Sequence, residues 1–209
     1  MSVLSKLSSA LNQRGEAANI DLTKSITAKK DRTAIRELVE NLNNKNKAMQ
    51  SDCIKVLYEI GEMKPELIAE YAAIFGKLLK SKNNRLVWGA MTALDMVTSY
   101  NTKAVYKMLP EVLQVADEGT VITRDHAVGI LVKLCFEKAY FSTCFKLLLE
   151  QLKMCPTNQF PMYAEMISSV VNDASKKAFV TAVSSRIGDL QKESQIKRIE
   201  KLLKKLAKT

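Results

Sequence analysis

The sequence predicts an all-α protein assembled from helix pairs that repeat about every 36 residues. Turn-forming residues are scarce, with only 7 Gly and 4 Pro in 209 residues. A sheet-rich fold of short hairpins would need many more residues that accept positive φ or fix it near −65°. Apolar residues also recur at helical spacing, and the chain matches itself when displaced by 36 or 37 positions.

The self-similarity is clearest in four segments. Cys53-Ile-Lys-Val-Leu57-Tyr-Glu-Ile60 aligns with Ala90-Met-Thr-Ala-Leu94-Asp-Met-Val97 at a shift of 37, and with Ala127-Val-Gly-Ile-Leu131-Val-Lys-Leu134 at a further 37. A fainter copy, Tyr163-Ala-Glu-Met-Ile167-Ser-Ser-Val170, follows 36 residues on. Apolar residues at i, i+4 and i+7 share one helix face, so each copy reads as the inner helix of a unit. A second amphipathic run precedes each one. These runs hold Ile35, Leu38, Val39 and Leu42; then Leu67, Ile68, Tyr71, Ile74, Phe75, Leu78 and Leu79; then Val105, Met108, Leu109, Val112, Leu113 and Ala116; then Phe141, Phe145, Leu148, Leu149 and Leu152.

The breaks fall where helix pairs require them. Asn43-Asn-Lys-Asn, Lys82-Asn-Asn and Asp117-Glu-Gly119-Thr lie between the two helices of successive units, where Asn, Asp and Gly cap helices or adopt left-handed conformations. Pro65 belongs in the first turn of its helix, where its missing N–H is harmless. Pro156 and Pro161 bracket a loop or a broken first turn.

The third unit carries a specific pattern. Met108-Leu-Pro110-Glu-Val-Leu113-Gln-Val-Ala-Asp117, followed by Thr123-Arg124, Ala127, Leu131 and Leu134, resembles the HEAT repeat. That family places a proline in the first helix, an acidic residue in the turn, and an arginine three residues ahead of a small core residue of the second helix. Gln50 and Val87 stand where the other units would carry the arginine, so the motif is good in one unit while the periodicity covers residues 31–208. The resemblance implies an α-α superhelix of about five antiparallel helix pairs, a HEAT-like solenoid in which each unit buries its face on its neighbours. Residues 31–209 would form this domain, closed by the amphipathic, basic segment from Gln191 onward, and residues 1–30 an N-terminal cap or extension. Within that extension, residues 3–11 fit a short amphipathic cap, and residues 12–30 carry no clear periodicity.

Composition narrows the function class. Apolar residues make up 47% and charged residues 26%, an ordinary globular balance. Cys53, Cys135, Cys144 and Cys155 are widely spaced, without a Cys-x-x-Cys pair or a histidine cluster, and read as core hydrophobes of a reducing, cytoplasmic setting. No apolar run is long enough for a bilayer span, which argues against a membrane partner. The net charge of +10 is uneven. Residues 191–209 hold seven Lys/Arg against two acids and residues 1–46 eight against five, so the body between them is nearly balanced.

No Gly-rich phosphate loop, paired histidines or Gly-x-Ser-x-Gly elbow occurs, so no cofactor or metal is expected and an ordinary enzyme is disfavoured. His126 is the only histidine. By sequence it has neither the nucleophile nor the orienting acid of a triad, and it reads as structural. Arg124 and Asp125 match the arginine ladder that the resemblance implies. Trp88, the only tryptophan, is either inter-repeat core or, if exposed, the first binding candidate. Met49, Met91, Met96, Met108, Met154, Met162 and Met166 read as core filler.

The expected function is a protein or peptide scaffold that uses the concave inner-helix surface, with Arg85, Trp88, Asp95, Arg124, His126 and Lys133 as candidate contacts. The alternative is nucleic-acid binding, by resemblance to the HEAT-like DNA glycosylases that excise alkylated bases, with Trp88 and Asp95 on one helix face. A basic terminal face of Lys197, Arg198, Lys201, Lys204, Lys205 and Lys208 would serve as a solvated cap, or as a contact to nucleic acid, an anionic membrane or a partner.

Overall fold

The computed structural model describes residues 2–208, and every regular element among them is helical. Two compact units divide the chain, residues 1–127 and 128–209.

The first unit opens with a short 3₁₀ turn, Val3–Lys6, and helix α1, Ala17–Lys29. Helices α2 (Arg32–Glu40) and α3 (Lys47–Met63) follow. Two 3₁₀ turns lead into α4 (Ala72–Leu78), and the first of them opens on Pro65. Then come α5 (Asn84–Val97), α6 (Thr102–Lys107), α7 (Leu109–Glu118) and the start of α8 (Val121–Leu134). Polar residues of the breaks start these helices. Asp31 accepts from the Ala34 N–H, Asn46 from Ala48 and Met49, and Asn83 from Arg85. Each such cap supplies about 1 kcal/mol by satisfying amides the helix itself cannot pair. Lys30 ends α1 in the left-handed conformation, φ 51°.

The first helix of the third unit is interrupted. α6 stops and α7 starts at Met108, and Pro110 sits in the first turn of α7, where it needs no N–H partner.

Long-range side-chain hydrogen bonds show how successive repeats stack within this first unit. Asn83 donates to Gln50, 33 residues back, and Lys64 donates to the Thr27 carbonyl, 37 back. Asn101 donates to the Ala69 carbonyl, 32 back. The register between α3 and α5 is constant along their length. A Cβ on Gly89 would lie 2.4 Å from Ile54 Cγ1, and one on Gly61 would lie 3.2 Å from Met96 Cβ. Both pairs are 35 residues apart, so α3 and α5 run parallel. Glycine at these two points lets the helices approach more closely than any side chain would allow.

The core of this unit is aliphatic. Ile35, Leu38, Leu42, Leu57, Ile60, Phe75, Leu94 and Val112 are fully buried. Residues 12–30, without clear periodicity in the sequence, contain α1, whose buried side of Asn19, Leu22, Thr23, Ile26 and Thr27 is largely polar.

The second unit contains the rest of α8, then α9 (Lys138–Met154), α10 (Phe160–Ser168), α11 (Asp173–Ser184) and α12 (Glu193–Ala207). Asn172 and Ser175 cap each other's backbone at the start of α11. Arg186 donates from Nη1 to the carbonyls of Leu152 and Cys155, tying the end of α11 to the end of α9. Phe160, Tyr163, Ile167, Phe179 and Ile199 are fully buried. All four cysteines are free and buried, and burial pushes Cys53 and Cys135 up to about 12 and Cys144 to about 11. Met154 departs from the core role expected of the methionines. It is 76% exposed at the last residue of α9, where the helix leaves the packed layer.

Candidate functional site

The parallel packing of α3 and α5 leaves an open cavity of 310 Å³ in the first unit. It is lined by Glu16, Ser51, Ile54, Lys55 and Tyr58 on one side, by Arg85, Trp88, Gly89 and Thr92 on the other, and by Ile122 of α8. Its floor exists because Gly89 presents no side chain over Ile54. Trp88 is half-buried in its wall, and Arg85 is exposed at its edge. The Arg85 guanidinium has no ion-pair partner among the described residues, whereas the neighbouring Lys55 is fully engaged.

Lys55 Nζ lies 2.9 Å from Glu16 and 2.6 Å from Glu59, and stands over the Tyr58 ring at 4.9 Å from its centroid. Burial works against its ammonium, but hydrogen bonds to Glu59, Tyr58 and Glu16 prevail and hold its pKa above the ordinary value. Burial raises the Tyr58 phenol, opposed by Lys55. Just beyond the cavity, burial and then the neighbouring Glu59 raise the Glu62 carboxyl.

A second arrangement links α5 to α8. His126 Nδ1 is 2.9 Å from Asp95 Oδ2, and its Nε2 is 2.9 Å from Thr92 Oγ1. The Thr92 hydroxyl also lies 3.0 Å from the Trp88 carbonyl. An ionised carboxylate only accepts, so the Nδ1 proton points at Asp95. The sequence reading gave His126 no triad partners, and the structure corrects this: folding brings a hydroxyl and a carboxylate to its two nitrogens from 34 and 31 residues away. The order of groups is that of a nucleophile, base and acid. Acyl transfer also needs amide donors aimed at a developing oxyanion, and the N–H groups around Thr92 are spent inside α5. The hydroxyl bonds its own helix carbonyl, so the arrangement fixes α8 against α5 and orients the backbone beneath Trp88.

The candidate contacts are therefore placed differently. Arg85 and Trp88 share the cavity. Asp95 is 7% exposed, is held by His126 and does not line the cavity. Arg124 is half-buried near the start of α8, and Lys133 lies in the second unit, in the last turn of α8. Lys55, Tyr58 and Ser51 are cavity residues that the sequence reading missed. Projecting the 37-residue repeat onto polar as well as apolar positions would have set Ser51 level with Trp88 and Lys55 level with Thr92.

On α12 the basic face is partly consumed. Arg198 forks onto Glu165 at 2.9 and 2.6 Å, and Lys197 pairs with Glu193 at 2.7 Å. The Arg198 hydrogen bond lowers the Glu165 carboxyl despite some burial. A second cavity, of 440 Å³, lies beside this pair and is lined by Ser168, Ser169, Asn172, Asp173, Lys176 and Leu202, among others, with no aromatic side chain. No group of three or more metal-ligating side chains occurs among the described residues, and no described helix is long and apolar enough to cross a membrane.

No family model and no curated protein sequence matches the chain. Among solved structures, a designed armadillo repeat protein, YIII(Dq)4CqI, is similar over 94% of this chain and 96% of its own, with a TM-score of 0.62 and 12% identity. At that identity the likeness concerns the fold, which is an all-α, armadillo-like α-α superhelix.

Proposed function

We propose that this protein is a non-catalytic scaffold that binds an extended peptide segment of another protein across its inner helices, centred on the cavity between α3 and α5. One observation carries this reading: a half-buried tryptophan and an unpaired guanidinium, Trp88 and Arg85, border the same open cavity. Trp and Arg are the residue types that dominate binding energy when they line a pocket. The armadillo-like fold supports the reading, because stacked repeats present an extended surface built from successive inner helices.

The site favours a peptide with a large apolar side chain against Trp88, Ile54 and Ile122, and a carboxylate beside Arg85. Nucleic-acid binding draws less support. Arg198 and Lys197 are already paired on α12, and Asp95, the acid a glycosylase site would need near Trp88, is bound to His126.

Selection from a random peptide library on the intact chain tests the reading, with titration of labelled enriched peptides followed by fluorescence anisotropy. Enriched peptides should carry an acid next to an apolar residue and lose at least tenfold in affinity on Trp88→Ala. Peptides whose affinity survives both Trp88→Ala and Arg85→Glu would place binding elsewhere and refute the assignment.

A further inference from the structure

The first unit carries a second surface, separate from the α3/α5 cavity and sharing no residue with it. An open slot of 430 Å³ lies between α4 and the α6/α7 break. Its floor is Ala73, Gly76, Ala104 and Met108, and its rim is Lys77, Lys80, Lys107 and Glu111. The helix break at Met108 creates it. The Met108 side chain lies across Gly76 so closely that a Cβ there would meet its sulfur at 2.1 Å. The floor is thus made of small residues and one flexible thioether, which adapts to an inserted side chain.

The rim is cationic. Lys77 and Lys107 are exposed and have no acidic partner among the described residues, and Lys80 reaches Glu111 only at 3.9 Å. Each of Lys77 and Lys107 lies in the last turn of its helix, where free carbonyls favour a cation and leave the ammonium in water. Lys77 and Lys80 are one turn apart on one edge of the slot, and Lys107 stands on the other helix.

We infer that this slot docks an acidic amphipathic helix of a partner protein, which inserts one large apolar side chain between carboxylates spaced one turn apart. The charge pattern selects this occupant. Residues one turn apart on a helix sit roughly 5–6 Å from each other, so a Glu pair on the partner matches the Lys77 and Lys80 pair. Glu111 on the rim disfavours a phosphate-rich surface, and no aromatic side chain is present to anchor at a lipid interface. With the inner cavity on separate residues, the chain could then hold two partners at once.

The test uses the full chain and a displayed library of helical peptides with a fixed i, i+4 glutamate pair flanking randomised apolar positions. Enriched peptides should shift the Met108 methyl resonance, identified by its loss in Met108→Leu, and leave Trp88 emission unchanged. They should bind at least tenfold more weakly to the Lys77→Glu/Lys80→Glu double variant, and lysine-swapped peptides should gain on that variant. Ala104→Arg, which fills the floor without touching the rim, should give the same loss and guards against a misfolded double variant. Overturning results are an absence of enriched peptides, affinity unchanged in both variants, an unmoved Met108 methyl, or sedimentation with phosphatidylserine vesicles that depends on the same lysines. The last would assign the slot to a lipid surface.

Discussion

The junction of α3 with α5 and the junction of α10 with α12 are the same device with opposite outcomes. Each joins two helices through contacts 33 to 35 residues apart, and each borders a cavity. At the first, the cation nearest the helix face, Lys55, is satisfied within the protein by Glu16 and Glu59, and a second cation, Arg85, is left over beside a tryptophan. At the second, the guanidinium of Arg198 closes on Glu165, and no aromatic side chain lines the space. The more basic stretch of sequence therefore offers less unpaired guanidinium than the nearly neutral one. Which of its cations the fold pairs internally is not revealed by a count along the chain.

Four measurements break or sharpen this contrast. The largest effect belongs to the packing that both junctions require. Leu57→Ala, in the fully buried side of α3, should cost about 2–5 kcal/mol of unfolding free energy in a denaturant titration, and a loss below about 1 kcal/mol would contradict the burial seen here. Next, Trp88→Ala should remove about 2 kcal/mol of binding to peptides selected on the α3/α5 cavity, measured by anisotropy, while Arg198→Ala leaves that binding unchanged.

Gly89→Ala is expected to lower stability by about 1 kcal/mol, since crowding Ile54 at 2.4 Å costs more than the gain in helix propensity returns. Stability equal to or above the parent would show that α3 and α5 separate without penalty. The smallest effect is at Arg198 and Glu165, which are 50% and 43% exposed. Because the Glu165 carboxyl is lowered in the folded state, the pair stabilises above the ordinary carboxylate range, and that contribution disappears as pH falls through the lowered value. Comparing Glu165→Gln with the parent from neutral pH downward should show a difference below about 1 kcal/mol that shrinks as pH falls through the lowered carboxyl value.

The repeated helix pairs were legible because their signal is apolar and periodic. Leu57, Leu94, Leu131 and Ile167 occupy equivalent positions, and all four are fully buried. Helix α1 was illegible for the converse reason. Its buried side includes Asn19, Thr23 and Thr27, which erase the hydrophobic period. The fold tolerates Asn19 because its side chain accepts from the Ser8 N–H and donates to Asp52, and Thr23 because its hydroxyl donates to the Asn19 carbonyl. Trp88 and Arg85 could be named from residue type alone. Lys55 and Tyr58 could not, because their relevance depends on the helix beside them. The partners of His126 were hidden in the same way, arriving from positions 31 and 34 residues earlier.

The fixed register also bears on how the chain is made. Apart from Ser8 with Asn19, the side-chain hydrogen bonds between elements named here join residues 31 to 43 positions apart, from Arg186 with Cys155 to Ser9 with Asp52. A helix emerging during synthesis finds its docking surface in the forty or so residues just completed and need not wait for distant sequence. Such nearest-neighbour order favours rapid, stepwise folding from the amino terminus, with little time for exposed apolar faces to meet those of another nascent chain.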